Sequence, residues 1–109
     1  MYNANTSSVF AVNFPARALC AQRAVTDRHR FLVGTCSLHD SNEISVLQYS
    51  EDSNHMEAVS LYSHPDQIWA IESSPTDPSL LVTSRQAFNG SKSLTLWRMD
   101  KQSTEDIAY

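Results

Sequence analysis

The sequence predicts an all-β chain made of two successive antiparallel blades, the second short of its last strand. Three observations carry this. Short apolar runs bounded by polar turn residues recur along the chain at strand length. They also recur in order. Val9-Phe10-Ala11-Val12, Phe31-Leu32-Val33 and Ile44-Ser45-Val46-Leu47 are answered by Ile68-Trp69-Ala70-Ile71, Leu80-Leu81-Val82 and Leu94-Thr95-Leu96-Trp97. The first pair is separated by 59 residues and the last by 50. Third, the second cycle begins at His64, turns a Ser74-Pro75 corner and closes on a Trp-ended strand. Propeller blades of the WD type follow that order, with a Trp-Asp pair and a period of about 40 to 45 residues. Here the pair reads Trp97-Arg98, a degenerate form. The expected fold class is all-β, an incomplete WD-repeat β-propeller of about two four-stranded antiparallel blades.

Taken in order, residues 1–7 read as a polar leader. The first strand is expected over 8–14, ended by Pro15. Ala16 to Ala24 then reads as a long connection, because Leu19 lacks apolar partners at helical spacing. Strands follow near 30–36, 43–49 and 57–62, with a turn at Asp40-Ser41-Asn42 and a polar link from Glu51 to His55. The second blade is expected to place strands near 67–72, 80–85 and 93–99. Asn89-Gly90 marks a tight hairpin whose two central residues would both take positive φ. This divides the chain into a leader (1–7), a first blade (8–63), a second blade of three strands (64–99) and an acidic linker or tail (100–109). In this alignment Leu47 stands where the second blade has Trp97.

Composition narrows the function. The chain has 109 residues and a net charge of −4, with no Lys/Arg cluster, the opposite of a nucleic-acid footprint. Met1 to Ser8 has no apolar core for a signal peptide, and no run approaches the roughly 18 apolar residues of a membrane span. Cys20 and Cys36 are too few for a disulfide framework and read as reduced thiols. His29, His39 and His55 share no metal-ligand spacing with them and read as surface residues. Glycine occurs only at Gly34 and Gly90, so no phosphate-cradling loop exists. The expectation is a non-enzymatic protein without cofactor or metal.

Blades pack against neighbours, and repeat folds need roughly three or more units for stability. Two blades therefore read as a piece of a longer chain, or as one completed by a partner. With an apolar face and a strand edge uncovered, the isolated chain is expected to self-associate or stay partly unfolded.

The chemistry-bearing set is His64, Ser84 and Trp97. A His before the first strand can bond a hydroxyl on the second, which in turn accepts from the Trp indole on the third. This satisfies buried polar groups. Ser84 is preferred to Thr83 because it lies nearer the hairpin, and strand alternation turns only one of them inward. The acid that usually joins the set has no counterpart in the turn beyond Asn89. A hydrolase built on His64 with Ser84 or Asp66 would need an oxyanion site, and the sequence supplies none. Trp69 reads as filler between blades, with an interface anchor as the alternative. Partner contacts are expected on the loops near 37–43, 63–67 and 85–92, with Phe88, Asp66 and Gln67 as candidates; Phe88 could equally cover its own hairpin.

Ala16-Arg17-Ala18-Leu19, Thr26-Asp27, Arg30-Phe31-Leu32-Val33-Gly34-Thr35, Ser37-Leu38, Gln67-Ile68-Trp69, Ser74-Pro75 and Trp97-Arg98-Met99 together resemble the N-terminal blades of one WD-repeat family, the EARP- and GARP-complex-interacting proteins. The resemblance runs from about Val9 to Met99. It implies a cytosolic propeller, peripheral to endosomes and the trans-Golgi network. Its partners would be EARP/GARP tethering-complex subunits, and membrane association would be only indirect, through them. It implies roles in endosomal recycling and retrograde traffic, no enzymatic activity and no nucleic acid. Blade physics does not separate this from a WD-repeat adaptor for a ubiquitin ligase or for chromatin.

Overall fold

A computed structural model describes residues 7–12, 14–38 and 41–99. Within them lie seven strands and no helix. β1 (Ala16–Ala21), β2 (His29–Thr35), β3 (Asn42–Ser50) and β4 (His55–His64) form one sheet in chain order. β5 (Gln67–Ser73), β6 (Leu80–Gln86) and β7 (Lys92–Arg98) form a second. Every neighbouring pair is antiparallel, so each sheet is a meander. The fold is all-β, with two propeller blades that do not close a ring. The expected leader over 1–6, His39, Asp40 and the expected tail 100–109 lie outside the described residues.

Six strands fall where the sequence placed them to within three residues at either end, and the first does not. The expected strand over 8–14 has no regular structure in its described residues, and Val9 is 85% exposed. The strand is instead β1, in the segment read as a connection. Pro15 O accepts Cys36 N–H at 2.8 Å, and the β1–β2 ladder starts beside it. Strand propensity favours Val9–Val12, but pairing and packing decide. β1 contributes to the core with small side chains, Ala18 and the half-buried Cys20.

The repeat alignment shifts accordingly. Leu32 pairs with Val46 in the first sheet and Leu81 with Trp97 in the second. Leu32 and Leu81 are both inward and fully buried, so Val46, not Leu47, occupies the place of Trp97. A slip of one residue exchanges the two faces of a strand.

One core lies between the sheets. Ala18, Leu32, Ile44, Val46 and Tyr62 meet Ile68, Ile71, Leu81, Trp97 and Met99. Burying each large apolar side chain contributes about 1.5–3 kcal/mol. The closest approach is at Gly34, where a Cβ would stand 2.7 Å from Ile68 Cγ2. That methyl sits on a β-branched side chain with little freedom to move. Gly34→Ala is expected to destabilise by about 1–3 kcal/mol through overpacking. A denaturation midpoint equal to that of the parent chain would contradict this close packing.

Hydrogen bonds also join the sheets. Ser73 Oγ donates to Ala21 O at 2.7 Å and accepts Arg23 N–H at 3.0 Å, and Gln22 Nε2 donates to Pro78 O at 2.8 Å. The far face of the second sheet is apolar: Val82 stands opposite Leu96, and Leu94 is 74% exposed. Among the described residues β7 pairs only with β6.

The β6–β7 turn is wider than expected. Residues 87–91 separate the strands, closed by Ala87 N–H to Ser91 O at 2.8 Å and Gly90 N–H to Ala87 O at 2.9 Å. Within this turn Gly90 alone takes positive φ, at 88°. The Asn89 Oδ1 accepts both the N–H and the hydroxyl of Ser91, a local alternative to the two-residue turn.

Candidate functional site

A polar chain ties β6 and β7 of the second blade to His64, the last residue of β4. The Trp97 indole N–H donates to Thr83 Oγ1 at 2.9 Å, and Thr83 Oγ1 lies 3.1 Å from His64 Nε2. On the other side of the ring, His64 Nδ1 is 2.7 Å from Asp66 O. With the proton on Nδ1, Nδ1–H donates to the carbonyl and Nε2 accepts from the Thr83 hydroxyl. The His64 and Trp97 rings meet edge-on with centroids 5.4 Å apart.

The hydroxyl in this chain is Thr83, not Ser84. Ile71 and Thr83 are paired inward, and Leu81 and Thr83 share the buried face of β6. Ser84 pairs with Ala70 and Leu94 on the opposite face. The alternation from Leu81, an apolar residue at strand centre, could have selected Thr83. Phase along the strand, not distance from the hairpin, decides which hydroxyl faces inward. His64 and Ser84 therefore cannot form the catalytic pair considered from the sequence.

The acid that the β6–β7 turn lacks comes from the β4–β5 loop. Asp66 Oδ1 lies 3.5 Å from His64 Nδ1, and the Asp66 carboxylate receives two bonds of 2.9 Å from Arg85. Arg85 also donates to Thr95 Oγ1 at 3.1 Å and lies 5.4 Å from the Trp97 ring centroid. A bidentate guanidinium–carboxylate pair fixes geometry as well as energy. Asp66 is thus engaged inside the blade, and it also lines the cavity on the loop face.

Burial pushes the His64 pKa below its ordinary value of 6.5, opposed by the Asp66 carbonyl and carboxylate and reinforced by Arg85. The folded ring stays neutral where an unfolded one already takes up a proton. Between 6.5 and the lower folded value the unfolded state therefore binds more protons, and stability falls as pH falls through that window. We expect the denaturation midpoint to drop from pH 7.5 to pH 5.5. His64→Gln, measured over the same range, should flatten part of the slope. An unchanged slope would place the pH dependence elsewhere.

The three loops expected to face partners line one shallow cavity of about 310 Å³. Leu38 comes from the β2–β3 connection, Pro65 and Gln67 from the β4–β5 loop, and Phe88 from the β6–β7 turn. Phe88 is 92% exposed and Leu38 is also exposed. Gln67 is half-buried, and its Oε1 accepts the Trp69 indole N–H at 3.2 Å.

Trp69 is not the inter-blade filler expected of it. It is 39% exposed, and the Arg17 guanidinium lies 4.3 Å from its ring centroid. Cys20 and Cys36 are free, and burial together with the Glu72 carboxylate pushes the Cys20 thiol up to about 11. His29 and His55 are exposed beside Glu51 and Glu57. Among the described residues no His/Cys/Asp/Glu group could hold a metal ion, and no helix is long and apolar enough to cross a membrane.

Comparison with known proteins agrees with this architecture. Residues 4–108 match the EIPR1 beta-propeller family. The human EARP and GARP complex-interacting protein 1 is 38% identical over 97 residues, covering 86% of this chain and 25% of the relative. The EARP-interacting protein homolog of Dictyostelium discoideum is 38% identical over 87 residues, 76% of this chain and 22% of the relative. The WD repeat-containing protein DWA2 of Arabidopsis thaliana is 34% identical over 74 residues, 68% of this chain and 21% of the relative. The chain spans about a quarter of the length of the EARP and GARP complex-interacting proteins it matches. A family match over nearly the whole chain, on two open antiparallel blades of the same architecture, establishes that the chain belongs to the EIPR1 beta-propeller family.

Proposed function

We propose that this chain serves a WD-repeat scaffold that binds the EARP and GARP tethering complexes, in endosomal recycling and retrograde vesicle traffic. The observation that carries the reading is the 38% identity to a protein named for interaction with both complexes. Its setting is the cytoplasm, peripheral to the trans-Golgi network and endosomes, with membranes reached only through the partners. The proposed role is non-enzymatic, and the buried Thr83 hydroxyl, held between His64 and Trp97, serves the packing of the blade.

The loop-face cavity is the proposed contact surface, with Phe88 and Gln67 at its rim. Aromatic residues, Phe among them, are enriched at protein interfaces. Affinity capture from cytosol, read by mass spectrometry, tests the reading. Tethering-complex subunits should be recovered, and Phe88→Ala in a full-length relative should reduce their recovery without changing the fold. Recovery of cullin or chromatin proteins instead would favour an adaptor for another complex. Undiminished capture by the Phe88 variant would remove that residue from the contact surface.

A further inference from the structure

The Arg17–Trp69 pair sits where two irregularities in the sheets coincide. β1 bulges between Ala16 and Ala18, and β5 bulges between Ile68 and Ala70. Each bulge leaves one residue out of the ladder, Arg17 in one strand and Trp69 in the other. Bulges re-aim side chains that regular pairing would place elsewhere. Here both are aimed at one spot across the seam between the sheets, the guanidinium lying over the ring at 4.3 Å. The ring is held from below by Gln67, which takes its indole N–H.

Among the described residues the guanidinium groups of Arg17 and Arg23 lack a polar partner, and of these two only that of Arg17 lies over an aromatic ring. Arg85 and Arg98 reach carboxylates on Asp66 and Asp77, Arg28 reaches Asp27, and Arg30 holds the amide of Gln48. Among the described residues no carboxylate or other acceptor engages Arg17, whose one contact of this kind is the Trp69 face. Stacking on an aromatic ring orients the planar group and leaves its N–H edges free. Leu19, two residues along β1, is also exposed, and strand alternation puts it on the same face as Arg17. An oriented fork of donors flanked by an exposed indole and an exposed Leu matches a carboxylate next to an apolar side chain.

We propose that Arg17 and Trp69 form a recognition site for an acidic segment of a partner protein, an Asp or Glu flanked by apolar residues. Arg17 takes the carboxylate bidentately, and Trp69 and Leu19 take the apolar neighbour. A phosphate-bearing partner fits less well, since no second cation accompanies Arg17 in the pair. The inference rests on the reading of the chain as a protein-binding scaffold, and it names the chemistry of one contact. The net charge of −4 makes general attraction to an acidic peptide unfavourable. Binding of one would therefore report a local site.

The test uses the whole chain tethered at low density for surface plasmon resonance, with the capped peptide acetyl-Leu-Asp-Leu-Asp-Leu-amide as probe. Saturable binding is expected, about tenfold weaker for the Asn analogue of the peptide. Arg17→Gln and Trp69→Leu should each weaken binding by about tenfold, and Arg17→Lys, which keeps charge without the fork, by less. Arg23→Gln should leave it unchanged. Circular dichroism verifies that the Arg17 and Trp69 variants, altered at exposed side chains, keep the sheet spectrum. Equal binding of the Asn peptide, no saturable binding, or an equal loss in Arg23→Gln would overturn the proposal. The capture of tethering subunits is a separate readout, so the scaffold reading stands or falls independently of this peptide.

Discussion

Trp97→Ala should destabilise the chain by about 3–5 kcal/mol, the range for removing a large buried aromatic. Trp97 is the one residue that belongs both to the apolar core and to the polar chain of the second blade. Its removal opens a cavity between the sheets and takes the indole donor away from Thr83. It also withdraws the ring edge from His64 and the ring face from Arg85. Trp97→Phe keeps much of the packing and loses the indole N–H, so its cost should be nearer to about 1–3 kcal/mol. Denaturation followed by far-UV circular dichroism avoids relying on the fluorophore being deleted. Equal losses in the two variants would mean that packing contributes little at this position.

Thr83→Val should rank next, although it changes one hydroxyl to a methyl of nearly the same size. Thr83 Oγ1 is shared by the Trp97 indole and the His64 ring. Removing it strands a buried donor on one side and a buried acceptor on the other. Each such group costs about 1–3 kcal/mol when left unpaired. Thr83→Ser keeps the hydroxyl and should recover most of the loss. Ser84→Ala, on the opposite face, should stay within about 0.5 kcal/mol of the parent chain. The three variants together separate loss of the hydroxyl from loss of packing.

The strands from β2 to β7 were legible because their apolar residues sit at a pleated surface with turn residues between them. β1 was not, because an inner strand pressed against the next sheet carries Ala and Cys at the contact. Short side chains give no alternation signal. The network was legible in His64 and Trp97, whose order along the blade carries meaning. Its middle member was misplaced by one residue, and in a strand one residue is the other face. Phase counted from Leu81 would have found Thr83. Asp66 reads from the sequence as a partner contact, and its carboxylate also lies within reach of both His64 and Arg85. Nothing in the local sequence announces that pairing across 19 residues. The Arg17–Trp69 contact depends on two bulges, and bulges leave no mark on periodicity. The exposed position of Phe88 agrees with the polar turn around it.

The account rests on the second blade being closed internally through Thr83, with Trp97 inside and Trp69 outside. The chain has two tryptophans, so its two indole N–H resonances can be followed separately by nuclear magnetic resonance during hydrogen exchange. The Trp97 resonance should be strongly protected, and Thr83→Val should remove most of that protection while leaving Trp69 unchanged. Trp69, partly exposed, should exchange quickly throughout. Rapid exchange of both indoles, or protection of Trp97 that survives loss of the Thr83 hydroxyl, would contradict the account.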